Sequence, residues 1–262
     1  MHMPPSPSTL PDFLLSHGQH SFTLAEAKAA LERDGDAVRK GLERLARKGE
    51  VFSPSRSFYV VVPPEFRSWG TVPAAHFVDD LMRFLHRRYY VALLSAAELH
   101  GAAHQAPQVF QVMVDRHLRD RDLGRTRLRF FAGAHVADAP TEQRNVPTGT
   151  IRLATRELTS VDLVENPASS GGIDNVVTVL AELGPLDGQL LAAASASRPR
   201  SVARRLGWLL TFLEADVDLE PLRNVAAPRE GAPTDLRAGA PRRGSVDHGW
   251  NVRVNVEVQP DL

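Results

Sequence analysis

The sequence predicts an α+β protein in two parts, a small unit of helices closed by a hairpin and a larger mixed α/β domain after it. Three observations carry this. Helix start and stop signals alternate over residues 10–49, and two β-rich runs flank a proline-containing loop directly afterwards. Beyond the proline-rich break at residues 63–73, strand-like and helix-like segments mix as far as the C-terminus.

The first element reads STLPDFLLSHG, with a Ser/Thr cap, Pro11 near the helix start and Gly18 as its stop. The second, FTLAEAKAALERDG, has Thr23 and Glu26 spaced as a capping box, an apolar face of Leu24, Ala27 and Leu31, and Gly35 as its end. The third, DAVRKGLERLARKG, starts at Asp36 as cap and buries Val38, Leu42 and Leu45. Its remaining surface carries Arg39, Lys40, Arg44, Arg47 and Lys48. EVF and FYVVV then read as two strands around SPSRS.

Helix, helix, basic helix and hairpin is the order of a winged helix-turn-helix, so residues 1–63 are expected to bind DNA. The whole chain is neutral, with 31 basic and 31 acidic residues. Between Ala37 and Val62, however, six basic residues face two acidic ones. Arg39, Lys40 and Arg44, nearest the start of the third helix, are the candidates for base edges, because a guanidinium can hold a guanine with two hydrogen bonds. Arg47, Lys48, Arg56 and the hydroxyls of Ser53 and Ser55 are the candidates for phosphates.

Residues 64–73 are expected to be a linker and 74–262 the second domain. In it, helices are predicted over AAHFVDDLMRFLHRR, Ser95–Ala103, GIDNVVTVLAEL, DGQLLAAASA and SVARRLGWLLTFLEA. Strands are predicted over VFQVMV and TRLRFF, and a strand-to-helix step over TIRLATRELTSVDLVEN. Pro228–Gly244 reads as a mobile loop. WNVRVNVEV alternates with period two and predicts a closing strand with one buried face.

Arg125, Arg127 and Arg129 alternate with Thr126, Leu128 and Phe130, with Arg116, Arg119 and Arg121 just upstream; an edge strand guarded by charge explains them, and a second basic surface for nucleic acid or a partner is the lesser reading. Arg198, Arg200, Arg204 and Arg205 crowd a helix start, where cations are disfavoured, and predict ion pairs within the fold.

Catalytic chemistry finds no foothold. His100 and His104 have the i, i+4 spacing of a zinc pair, but Gly101 stands where the proton-accepting glutamate belongs, and Ser95 lacks the flanking glycines of a nucleophile turn. SSGGID lacks the lysine of a phosphate loop and reads as a turn plus helix cap. No cofactor and no metal is implied. The chain has no cysteine and no apolar run of membrane-spanning length, so a cytoplasmic protein that does not enter membranes is expected.

The strings PDFLLSHG, LERLARKGEVF, SFYVVVPPEFRSWG, YYVALLSAAELHGAAHQAPQVFQVMV, LTSVDLVENP, GGIDNVV and RRLGWLL resemble the AbiEi family, the antitoxins and transcriptional regulators of type IV toxin–antitoxin systems. The resemblance spans nearly the whole chain. It implies a winged helix that binds inverted repeats upstream of its own operon and represses it, a C-terminal domain that opposes a toxin of nucleotidyltransferase fold, and no enzyme activity. One departure is Ser57, which stands where a glycine is expected in the wing turn. A winged-helix regulator whose C-terminal domain senses a small ligand is the alternative.

Overall fold

The computed structural model describes residues 5–102, 108–227 and 231–260. Its N-terminal part runs α1 (Leu10–Ser16), β1 (Ser21–Thr23), α2 (Leu24–Leu31), α3 (Gly35–Arg47), β2 (Val51–Ser55) and β3 (Phe58–Val61), with the strands in the antiparallel order β1-β3-β2. The capping box forms. The Thr23 hydroxyl accepts from the Glu26 amide at 3.2 Å, and the Glu26 carboxylate accepts from the Thr23 amide at 2.6 Å. Leu10, Leu14, Phe22, Leu31, Val38, Leu42, Leu45 and Val51 close one small core.

The boundary between α2 and α3 differs from the expectation. Glu32 takes the left-handed conformation at φ 49°, so α2 ends at Leu31. Asp34 occupies the N-cap position of α3, Gly35 is the first residue of that helix, and the Asp36 side chain turns to Arg39. A reversal made by a non-glycine residue leaves no composition signal, which is why Gly35 looked like the stop. Nothing in this unit conflicts with the winged helix-turn-helix that the sequence predicts.

Residues 64–77 form two short 3-10 turns, Pro64–Phe66 and Ala74–His76, and between them Thr71 and Val72 are buried. The segment is therefore packed rather than loose. The Thr126 hydroxyl donates to the Val72 carbonyl at 2.9 Å.

The larger part continues with α4 (Val78–Phe84), β4 (Tyr89–Val91), α5 (Leu93–Leu99), β5 (Phe110–Val114), β6 (Arg121–Leu123), β7 (Thr126–Ala132), β8 (Thr141–Val146) and β9 (Gly149–Ala154). These strands make a six-stranded mixed sheet in the order β6-β7-β5-β4-β9-β8, with β5/β7 and β4/β9 parallel. Then come α6 (Arg156–Glu165), α7 (Ile173–Glu182), α8 (Gly188–Ser195), α9 (Arg200–Phe212) and α10 (Glu220–Ala226), and the short strands β10 (Thr234–Asp235), β11 (Val246–Asp247) and β12 (Val252–Arg253). α6 is buried from Glu157 to Val164, an axis around which α5, α7, α8 and α9 pack.

Three expectations are corrected here. β7 lies between β6 and β5, so the arginine-bearing strand is not an edge and needs no charge to guard it. The closing strand shrinks to Val252–Arg253: Asn251 is buried at φ 53°, and the Asn255 side chain bonds the Arg237 main chain at 3.0 Å where a ladder would continue. Within Pro228–Gly244, β10 pairs with β12 and Leu236 is buried, so its described residues are tied to the fold.

The two parts are joined face to face. Phe58 and Val60 of the small sheet belong to the large core, and Phe52 meets Phe77 edge-on at 5.3 Å. The Ser21 hydroxyl donates to Asp80 at 2.7 Å, and Arg121 Nε donates to the Pro54 carbonyl at 2.9 Å, placing β6 beside the β2–β3 turn. No helix of the described residues is long and apolar enough to cross a membrane.

Candidate nucleic-acid interface

α3 presents Arg39, Lys40, Arg44, Arg47 and Lys48 to solvent while Val38, Gly41, Leu42 and Leu45 face inward. At about 100° per residue, these cations do not share one face. The ridge opposite the core is Asp36, Lys40, Glu43 and Arg47, in which the charges balance. Arg44 and Lys48 lie on one flank and Arg39 on the other. Arg39 is paired with Asp36 at 3.0 Å, both side chains exposed, and Arg47 Nε approaches the Glu43 carbonyl at 3.4 Å. In exposed positions such links are weak and yield to a phosphate.

The β2–β3 hairpin is tight. Ser57 sits at φ 65°, so the position where a glycine was expected is indeed left-handed, and a serine bears that conformation. The Ser57 carbonyl accepts from the Leu24 amide at 2.9 Å, which fixes the turn against the start of α2. The Ser53 hydroxyl donates within the hairpin, to the carbonyls of Ser55 and Phe58 at 2.8 Å each, so its proton is committed to the turn. Ser55 is half-buried and Arg56 is exposed at the tip.

Arg125, Arg127 and Arg129 lie just before and along β7, whose neighbour β6 is tied to this hairpin by the bond from Arg121 to the Pro54 carbonyl. Along β7, Thr126, Leu128 and Phe130 point inward and Arg127 and Arg129 outward. Arg129 stands 3.5 Å from Asp120 and Arg127 3.9 Å from Asp122, so both are partly compensated. Arg125 lies over the ring of Trp69 at 5.7 Å, and Trp69 is 42% exposed. Composition gave no hint that Trp69 meets Arg125, because the two come together only when residues 64–73 pack on the sheet.

The remaining candidates are structural. His100 is the C-cap of α5, which stops at Leu99 rather than running on to Ala103, and its Nε2 lies 2.8 Å from the Ala154 carbonyl. His104 lies outside the described residues. The Ser95 hydroxyl is buried and accepts from the Gln111 amide at 2.9 Å. SSGGID forms a 3-10 turn followed by Gly171 and Gly172 at positive φ ahead of α7, the turn and cap expected of it.

The arginines at the start of α9 mostly find partners inside the fold. Arg204 Nε donates to the Ala226 carbonyl at 3.1 Å and Arg205 Nε to the Asp235 carbonyl at 2.9 Å. Arg198 bonds Asp162 at 3.1 Å and lies 3.4 Å from Glu165. Burial pushes the Asp162 carboxyl up, to about 7, against the pull of Arg198. Burial also raises the Tyr90 hydroxyl, which Asp162 reinforces.

Geometry thus defines a class: a two-part α+β protein that offers solvent-facing cations on its small unit and whose conspicuous polar clusters, at His100, Ser95 and Arg198, serve packing. Residues 90–212 match the family model described as the AbiEi antitoxin C-terminal domain. The crystal structure of the RV2827C protein from Mycobacterium tuberculosis is similar to it, with a TM-score of 0.68 at 17% identity over 96% of this chain and 92% of that one. At that identity the likeness speaks to the fold. No curated protein matches the sequence.

Proposed function

We propose that the chain is the antitoxin of a type IV toxin–antitoxin system and the repressor of its own operon. In this reading residues 1–63 act as a winged helix-turn-helix on inverted-repeat operator DNA, and residues 74–262 counteract a toxin of nucleotidyltransferase fold, by contact or indirectly. The observation that carries it is the match of residues 90–212 to the AbiEi antitoxin domain. The exposed cations of α3, directly ahead of a tight hairpin with Arg56 at its tip, support the DNA-binding half. An antitoxin and repressor needs no cofactor, no metal and no reaction of its own, and works in the cytoplasm where its operon is.

On DNA, α3 enters the major groove with Lys40 and Arg47 on its leading ridge and Arg39 beside them. Arg44, Lys48 and Arg56 reach the phosphate backbone, with Ser55 at the wing; Ser53 serves by shaping the turn. Arg125, Arg127 and Arg129 extend the basic surface beyond the wing tip, where an exposed aromatic such as Trp69 accompanies them.

Co-expression with the neighbouring gene tests the antitoxin half: the reading expects growth to be rescued, and a chain that leaves a toxic neighbour toxic sinks it. A gel shift with the DNA upstream of its own gene tests the other half. Binding that weakens steeply with salt is expected, since phosphate contacts release counterions.

A further inference from the structure

Arg33 lies in the short turn between α2 and α3, outside the basic helix. Together with Arg44 and Lys48 it lines a cleft of about 250 Å³, whose other walls are Pro7, Ser8, Gly41 and Leu45. We propose that Arg33, Arg44 and Lys48 form a seat for a single backbone phosphate of the bound DNA, with Arg33 as a contact residue and Arg44 as a phosphate ligand rather than a base reader. The proposal rests on the DNA-binding reading above.

Three observations converge on it. First, the charge in the cleft is uncompensated. Among the described residues, none of the three side chains makes a hydrogen bond or an ion pair, whereas Arg39, Arg83, Arg127, Arg129, Arg144 and Arg198 all have acidic partners. Like charges gathered at one cleft repel, and an anion placed among them relieves that repulsion.

Second, the position suits a backbone contact. The ridge of α3 opposite the core carries balanced charge, Asp36 and Glu43 against Lys40 and Arg47, while the surplus lies on the flank bearing Arg44 and Lys48. A helix in the major groove turns its ridge toward base edges and its flanks toward the two strands, so a flank of unpaired cations meets phosphates.

Third, the cleft is shaped by the fold. Gly41 is buried in mid-helix, and a Cβ there would stand 3.1 Å from the Pro7 Cβ. The missing side chain lets the segment before α1 cross α3 closely and form the back wall, with Ser8, whose hydroxyl lies 2.9 Å from that of Ser6. A guanidinium from the α2–α3 turn and two cations one turn apart on α3 thus approach one small volume from two directions.

Fluorescence anisotropy on the full-length chain tests this. The probes are a duplex from the DNA upstream of its own gene and a scrambled duplex of equal length and composition, each over a salt series. Arg33→Ala is expected to lower the magnitude of the slope of log K against log salt by about 1 and to weaken both duplexes by the same factor, while Arg33→Lys keeps the slope. Arg44→Ala is expected to behave as Arg33→Ala does, leaving the ratio between the duplexes unchanged. An unchanged slope for a folded Arg33→Ala that still binds overturns the seat while leaving the DNA-binding reading in place. A collapse of the ratio in Arg44→Ala makes Arg44 a base reader and overturns its assignment. If the wild-type chain binds neither duplex, both the seat and the reading fall.

Discussion

Phe58 of the small sheet stacks on Phe84 at the end of α4, with ring centroids 5.1 Å apart and planes 29° from parallel. Phe58 is 3% exposed, and through it the small unit closes one side of the large core. The two parts are therefore one folding body rather than beads on a linker. Phe58→Ala is expected to cost about 3–5 kcal/mol by leaving a cavity at this junction. In urea, the small and large parts should lose structure together. A loss under 1 kcal/mol, or two separate transitions, would contradict the shared core.

That junction bears on how repression and antitoxicity are to be separated. Deleting residues up to Pro73 removes Phe52, which meets the buried Phe77, and Phe58, which stacks on Phe84. The truncated chain is expected to be less stable, so any loss of antitoxicity in it has an ordinary cause. The double substitution of Arg44 and Arg47 by Ala touches only exposed side chains. It should weaken operator binding while the melting temperature and toxin neutralisation stay unchanged; unaltered operator affinity would remove α3 from the interface.

A pH prediction follows from Asp162. Its carboxyl is fully buried and titrates at about 7 in the fold, against an ordinary value of 3.8, because desolvation outweighs Arg198. A raised carboxyl favours the protonated fold. The stability it contributes is complete below about pH 4 and declines as pH rises through about 7, where the charge must be carried inside. Asp162→Asn cannot ionise and should flatten that decline. The check is the urea midpoint of both proteins at pH 5 and pH 8: a midpoint difference between the two pH values that is equal in wild type and variant refutes the assignment.

Gly207 lies in mid-α9, where a Cβ would overlap the six-membered ring of Trp250. Trp250 is held there by its Nε1–H, which donates to the Thr211 hydroxyl at 2.9 Å, and by Arg223, stacked 4.3 Å from the ring centre. Gly207→Ala gains about 1 kcal/mol of helix propensity, but overpacking costs about 1–3 kcal/mol, and Trp250 is only 3% exposed. The expected result is a lower melting temperature, read by calorimetry. A higher one would mean that the ring shifts freely.

Much of the fold was legible along the chain. The Thr23/Glu26 capping box, the Val38, Leu42, Leu45 stripe of α3 and the alternation of Thr126, Leu128 and Phe130 along β7 are local patterns, and each formed as read. β1, β4 and β6 passed unnoticed, because three residues are too few to show a period. The closing strand misled for the opposite reason: WNVRVNVEV carries the period of a strand, but only Val252 and Arg253 find neighbours to pair with. Of the candidate site, the cations of α3 were visible, whereas Arg33 was not, since nothing in the string ERDGD tells that its arginine faces a cleft with Arg44 and Lys48.

The sequence by itself determined most of the helical segments, α10 excepted, that residues 37–62 carry surplus positive charge and that the chain resembles the AbiEi family. These rest on near-neighbour effects, namely capping, periodicity and local charge. Tertiary structure alone decided that β7 is interior, that the two parts share a core through Phe58 and Phe84, and that Arg33 lines one cleft with Arg44 and Lys48. The reason is physical. Strand order, burial and the compensation of a charge depend on residues distant in sequence, such as Asp120 for Arg129, Pro7 for Gly41 and Asp162 for Arg198, which only the packed chain brings within reach.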